Sequence, residues 1–213
     1  MNLLENILNE KIIAIIRGFD AETTLKTVRA LKEGGIKFSE IPFAQDMPVS
    51  YTCGKISAVC ASEPDVFVGA GTVLTPEQVE AACKAGAKYI IAPNSDESVI
   101  KKAKELGLLA MPGAMTPTEA VQCWKWGADI VKIFPSGALG IPYIKALKEP
   151  LGHIPLFAVG GVNLDNVRDF LKAGMCGAGI GGNLANKNLI ASGDFAAITE
   201  LAREYVKNVQ GIL

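Results

Sequence analysis

Apolar residues gather along this chain in short unbroken runs, and the stretches between runs return to apolar positions at a helical spacing. A continuous apolar run bounded by turn residues reads as a strand buried on both faces. The helical spacing reads as an amphipathic helix packed over it. The first run, Lys11 to Arg17, is followed by Leu25, Val28 and Leu31 between a capping Asp20 and a Gly34-Gly35 stop, which predicts a helix to Glu33. The pattern then recurs. It predicts strand Ile36 to Phe43 with a helix from Pro48 to Ala61, strand Val66 to Thr72 with a helix from Pro76 to Ala85, and strand Tyr89 to Pro93 with a helix from Asp96 to Leu106. Next come strand Leu108 to Pro112 with a helix from Pro117 to Gly127, and the run Ala128 to Pro135 with a helix around Pro142 to Lys148. Strand Leu156 to Gly160 with a helix from Leu164 to Ala173, and strand Gly177 to Gly181 with a helix from Phe195 to Val209, complete the series. Ahead of them all, Asn2 to Asn9 carries Leu3, Leu4, Ile7 and Leu8 on one side and predicts a short N-terminal helix.

Strand starts about 20 to 30 residues apart are the spacing of parallel strands joined by helical crossovers. Eight such units predict an α/β fold: a closed (β/α)8 TIM barrel, built as one domain over residues 1–213. A doubly wound open sheet is the alternative, but it needs no eight near-equal units, and no Gly-x-Gly-x-x-Gly opens the first helix.

Composition narrows the partners. With 49% hydrophobic residues and a formal net charge of -1 the chain is globular, and without a basic cluster it offers nothing to nucleic acid. No apolar run reaches the roughly 18 residues that span a bilayer, and Met1 to Glu10 lacks the build of a signal peptide, so no membrane partner and a cytoplasmic location are expected. Five scattered cysteines without a Cys-x-x-Cys pair point to reduced thiols, and neither a metal site nor a cofactor is expected.

One residue breaks the hydrophobic logic: Lys132, at the centre of the run Ala128 to Pro135. An ammonium inside a buried strand is disfavoured unless something uses it. The alternative is a lysine at a strand end that reaches out to water. At an ordinary pKa of ~10.4 only about 0.04% of the amine is neutral at pH 7, and a fall of about three units brings this to roughly 30%. A neutral amine in a dry pocket attacks a ketone to form a Schiff base, which needs a nearby acid/base to move protons. In a barrel the site lies at the C-terminal strand ends, where this chain has few polar residues: Arg17, Glu40, Thr72, Asn94 and Lys132. Glu40 fits the proton carrier, against the plainer role of an ion-pair partner for Lys132 or Arg17. The last two strands end in Gly160-Gly161 and Gly181-Gly182-Asn183, where backbone N–H groups can approach a phosphate.

These residues resemble a known family. Lys11-Ile12-Ile13-Ala14-Ile15-Ile16-Arg17, Gly34-Gly35-Ile36, Gly69-Ala70-Gly71-Thr72-Val73, Ala92-Pro93-Asn94, Met111-Pro112-Gly113, Thr116-Pro117-Thr118-Glu119, Lys132-Ile133-Phe134-Pro135 and Gly160-Gly161-Val162-Asn163 are similar to segments of class I aldolases. Those aldolases cleave 2-keto-3-deoxy-6-phosphogluconate (KDPG) or 4-hydroxy-2-oxoglutarate (KHG). The resemblance covers nearly the whole chain. It implies a homotrimer of TIM barrels, a small 2-keto acid substrate, no metal, and pyruvate as product. Carried over, Lys132 is the Schiff-base lysine and Glu40 the general acid/base. Thr72 binds the pyruvyl carboxylate or hydroxyl and Arg17 an anionic group. Pro93 and Phe134 line the pocket, and Gly161, Gly182 and Asn183 meet the phosphate.

The chain departs from the pattern on strand 2, where Pro42 and Ala44 replace a threonine and an arginine common in the family. Val159 replaces a threonine before one glycine pair, and Asn183 a serine after the other. The lysine-glutamate chemistry is untouched, while an aldolase for another 2-keto-3-deoxy acid such as the galactonate epimer stays open. So does a non-catalytic ligand-binding barrel. His153, Trp124 and Trp126 are read as surface or packing residues.

Overall fold

The computed structural model describes residues 2–212; Met1 and Leu213 lie outside them. The chain opens with α1 (Leu3–Glu10), started by Asn2, whose side chain accepts from the Glu5 N–H while Glu5 accepts from the Asn2 N–H. Strands and helices then alternate: β1 (Ile12–Ile15), α2 (Ala21–Glu33), β2 (Phe38–Pro42), α3 (Val49–Ser62), β3 (Phe67–Gly71), α4 (Pro76–Lys84), β4 (Tyr89–Ile91) and α5 (Glu97–Glu105). They continue as β5 (Leu109–Met111), β6 (Gly113–Ala114), α6 (Pro117–Lys125), β7 (Val131–Ile133), α7 (Ser136–Lys148), β8 (Leu156–Val159), α8 (Val167–Lys172), β9 (Gly177–Ile180), α9 (Lys187–Ala191) and α10 (Phe195–Val209).

All pairings are parallel, in the order β5-β4-β3-β2-β1-β9-β8-β7-β6. At the two ends of that order, β5 falls within the predicted fifth strand (Leu108 to Pro112), while β6 lies just beyond it, after Pro112, which has no N–H to give a ladder. Its carbonyl still accepts from the Lys132 N–H at 2.9 Å. The nine strands therefore form a nearly closed TIM-type barrel.

Alternation along each strand sorts side chains into two cores. Ala14, Ile41, Val68, Ala70, Ile90, Val131, Ile133, Ala158 and Ile180 point outward to the helices. Ile13, Phe38, Tyr89, Ile91, Met111, Ile130, Phe157 and Val159 fill the inside, and Ile7 of α1 packs onto them. Two rings need room: an added Cβ at Gly69 would overlap the Tyr89 ring, and one at Gly177 the Phe157 ring. Glycines opposite large aromatics let a narrow barrel fill without a hole.

The structure corrects several expected boundaries. The helix expected from Pro142 begins at Ser136, as two helical pieces meeting at Gly140 (φ 77°); Pro142 lies in the first turn of the second piece. The helix expected from Leu164 starts at Val167. The short helix α9, between β9 and α10, was not expected at all. Pro42 is the last residue of β2, where a strand tolerates a missing donor. His153 is exposed, and its ring lies edge-on to that of Trp124 at 6.4 Å between centroids.

Candidate active site

At the C-terminal mouth of the barrel the apolar filling stops, and a cavity of about 430 Å³ opens above it. All nine residues singled out from the sequence line it: Arg17, Glu40, Thr72, Pro93, Lys132, Phe134, Gly161, Gly182 and Asn183. Asn94, also considered at a strand end, does not.

Lys132 is the middle residue of β7, and the alternation that turns Val131 and Ile133 outward turns it inward above Ile130. It is 7% exposed, and its Nζ stands 4.8 Å from the centre of the Phe134 ring. Burial pushes its pKa below the ordinary lysine value; the Glu40 charge pulls it back up, and Arg17 pushes it further down. Glu40 reaches the same layer from β2 and is 1% exposed. Burial pushes its carboxyl above the ordinary range, with Lys132 and then Arg17 drawing it down. Its Oε2 has no hydrogen-bond partner. The two groups feel each other's charge without meeting in a direct ion pair. The salt-bridge role weighed for Glu40 is therefore not the one it has here. The backbone makes space for it at Gly71, where an added Cβ would overlap the carboxylate.

The rim holds the remaining polar groups. Arg17 follows β1 and donates to Thr72 Oγ1 at 3.4 Å. Thr72 follows β3 with φ 52°, a left-handed conformation costly for a β-branched residue. Two glutamines hold it there: Gln45 donates to the Thr72 carbonyl at 2.8 Å, and Gln78 donates to Gln45 at 3.1 Å while accepting from the Leu74 N–H at 2.7 Å. Gly160 and Gly161 (φ 85° and 78°) turn the chain back over β8, so that Gly137 packs against Gly161. Asn183 donates to the Val162 carbonyl at 2.9 Å, tying together the loops after β8 and β9, so one of its amide donors is already engaged. A side chain at Gly182 would meet no protein atom, which leaves its backbone open to the cavity. Among the described residues no group of three or more His, Cys, Asp or Glu side chains comes together to hold a metal ion.

Sequence reasoning missed two groups, one holding the strands below the cavity and one on its wall. Ser136, a buried residue, accepts from the Val159 N–H at 3.3 Å and donates to the Ile133 carbonyl at 2.7 Å, fixing β7 against β8 beneath the glycine pair. Lys187, the first residue of α9, stands at the cavity wall. The signal for α9 was in the chain: Asn186 as cap, Leu189-Ile190 as apolar contact and Gly193 as stop.

The chain as a whole has relatives. Residues 4–201 match the family model described as "Aldolase: KDPG and KHG aldolase". The chain belongs to the KDPG and KHG aldolase family. It is 40% identical, over 81% of its length and 83% of the relative's, to the 2-dehydro-3-deoxy-6-phosphogalactonate aldolase of Escherichia coli (strain K12). It is 30% identical, over 96% and 95%, to the 2-dehydro-3-deoxy-phosphogluconate aldolase of Haemophilus influenzae (strain ATCC 51907 / DSM 11121 / KW20 / Rd). A solved structure titled "Native KDPGal structure" superposes with a TM-score of 0.81 at 37% identity, covering 92% of this chain and 93% of that one. The protein is thus an aldolase, a carbon-carbon lyase. Among its described residues no helix is long and apolar enough to cross a membrane.

Proposed function

We propose that this aldolase cleaves a six-carbon 2-keto-3-deoxy-6-phospho sugar acid to pyruvate and glyceraldehyde 3-phosphate through a Schiff base on Lys132. The single observation behind this is the buried amine of Lys132 sharing a dry-floored cavity with the unpartnered carboxylate of Glu40. The neutral amine adds to the C2 ketone, and loss of water gives the protonated imine. Glu40 takes the proton of the C4 hydroxyl, the C3–C4 bond breaks, and its electron pair flows to the iminium nitrogen as the aldehyde leaves. Proton return to C3 and addition of water then release pyruvate and the free lysine.

Arg17 and the Thr72 hydroxyl, already joined, hold the C1 carboxylate. Pro93 and Phe134 wall the pyruvyl half. Gly161, Gly182 and the Asn183 backbone face the phosphate. The Gln45–Gln78 pair acts on this end through Thr72. Gln45→Leu is expected to raise the KM for a 2-keto acid about tenfold while kcat stays within about threefold, because an affinity loss of ~1.4 kcal/mol is what one misplaced anion contact costs. Steady-state kinetics reads this split directly; a pure kcat effect would show that Gln45 does not act on carboxylate binding.

Between the two epimers, the galactonate acid is the better fit. Identity is higher to the phosphogalactonate enzyme than to the phosphogluconate enzyme, and Val159 presents methyl groups to the cavity where a hydroxyl is common in the family. The epimers differ at one hydroxyl, so a single wall that offers no hydrogen bond discriminates between them. A coupled lactate dehydrogenase assay on KDPG, its galactonate epimer and KHG tests the proposal. The galactonate epimer is expected to lead in kcat/KM by about tenfold. No pyruvate from any of the three would overturn the function. The proposal extends to one domain over residues 1–213, supported by the eightfold strand-helix pattern, to a homotrimer, which the family resemblance implies, and to the cytoplasm; sedimentation gives the assembly mass.

A further inference from the structure

The cavity wall carries three cations, Arg17, Lys132 and Lys187, against one carboxylate, Glu40. Lys132 and Glu40 offset one another electrostatically, each shifting the other's protonation. Two positive charges remain. Arg17 leans toward Thr72, on the β3 side of the mouth. Lys187 rises from α9, after the Gly181-Gly182 pair, and its Nζ lies 3.9 Å from where a Cβ on Gly18 would sit, ordinary van der Waals contact with that loop. Among the described residues no carboxylate or carbonyl engages the Lys187 ammonium. The same cavity wall carries Gly160, Gly161, Gly181 and Gly182, which offer backbone N–H groups and space but no charge. A mouth with two surplus cations fits a substrate that carries two anionic groups.

We infer that Lys187 is the residue that selects phosphorylated substrate: its ammonium meets the terminal phosphate beside the backbone of Gly161 and Gly182. The inference rests on the aldolase reading of Lys132 given above and adds a specificity determinant to it. A phosphate ester carries about −1.5 to −2 charge at pH 7, which an ammonium engages as a point charge. The site is exposed, so its attraction is screened by salt, whereas the buried Lys132 and Glu40 are screened much less.

The test runs the reaction in the condensation direction, which does not depend on the epimer preferred in cleavage. With pyruvate saturating, Lys187→Gln is expected to raise the KM for glyceraldehyde 3-phosphate about tenfold and to flatten its rise with ionic strength, while Lys187→Arg stays within about threefold. Exchange of the pyruvate methyl protons in D2O, which involves no phosphate, is expected to stay within about twofold of the unsubstituted protein in both variants. An unchanged KM in Lys187→Gln overturns the inference, and so does an equal loss in the exchange reaction. Failure of the underlying reading looks different: borohydride would then trap no pyruvate on Lys132 in the unsubstituted protein.

Discussion

Lys132→Ala is expected to abolish pyruvate release, lowering kcat by about 10⁴-fold or more, because the covalent intermediate has no other amine to form on. The nearest alternatives on the wall cannot substitute. Arg17 carries a guanidinium, which is no amine nucleophile, and Lys187 is exposed whereas Lys132 is buried. Lys132→Arg keeps the positive charge opposite Glu40 and should be as inactive as Lys132→Ala, which separates nucleophilicity from charge. Incubation of the unsubstituted protein with pyruvate and borohydride is expected to add about 72 Da to the Lys132 peptide, and neither variant should take up that mass. Turnover by Lys132→Arg within about tenfold of the parent would show that the lysine serves electrostatics and not covalent chemistry.

That one residue was legible in the chain because it violates the pattern around it. A charge in a run otherwise made of Ile130, Val131, Ile133 and Phe134 has few explanations, and strand alternation fixed the side on which it lies. Glu40 was legible as the one carboxylate of the predicted strand Ile36 to Phe43. The eightfold rhythm followed from local rules: Thr75 caps the helix that Pro76 opens, and Thr116 the one that Pro117 opens. What escaped was set by tertiary contact. Beyond Pro112, where the predicted strand ended, Gly113 and Ala114 form a further strand on β7, which no periodicity reports. Thr72 sits at φ 52° because Gln45 and Gln78 hold it, residues that the sequence places 27 positions before it and four beyond Leu74. Lys187 looked like any lysine of a polar loop; only the fold of α9 against the glycine loops brings it to the cavity.

Glu40→Gln separates the two halves of the mechanism. The amide keeps the shape of the side chain in a space that Gly71 leaves for it, but cannot accept a proton from the C4 hydroxyl, and kcat is expected to fall about 10²- to 10⁴-fold. The parent enzyme needs Glu40 ionised, so its activity rises with pH through a carboxyl pKa that burial holds above the ordinary range; this limb should vanish in the variant. Lys132 should respond the other way. Its pKa is lowered by burial and partly restored by the Glu40 charge, so removing that charge leaves burial and Arg17 to drive it lower still. Reductive methylation of Lys132, followed by peptide mass across a pH series, should therefore reach half its maximum at a lower pH in Glu40→Gln than in the parent. The variant would hold more neutral amine at pH 7 and yet turn over far less substrate. A midpoint that moves upward, or turnover that survives the substitution, would mean that the carboxylate neither faces the lysine's charge nor carries the proton.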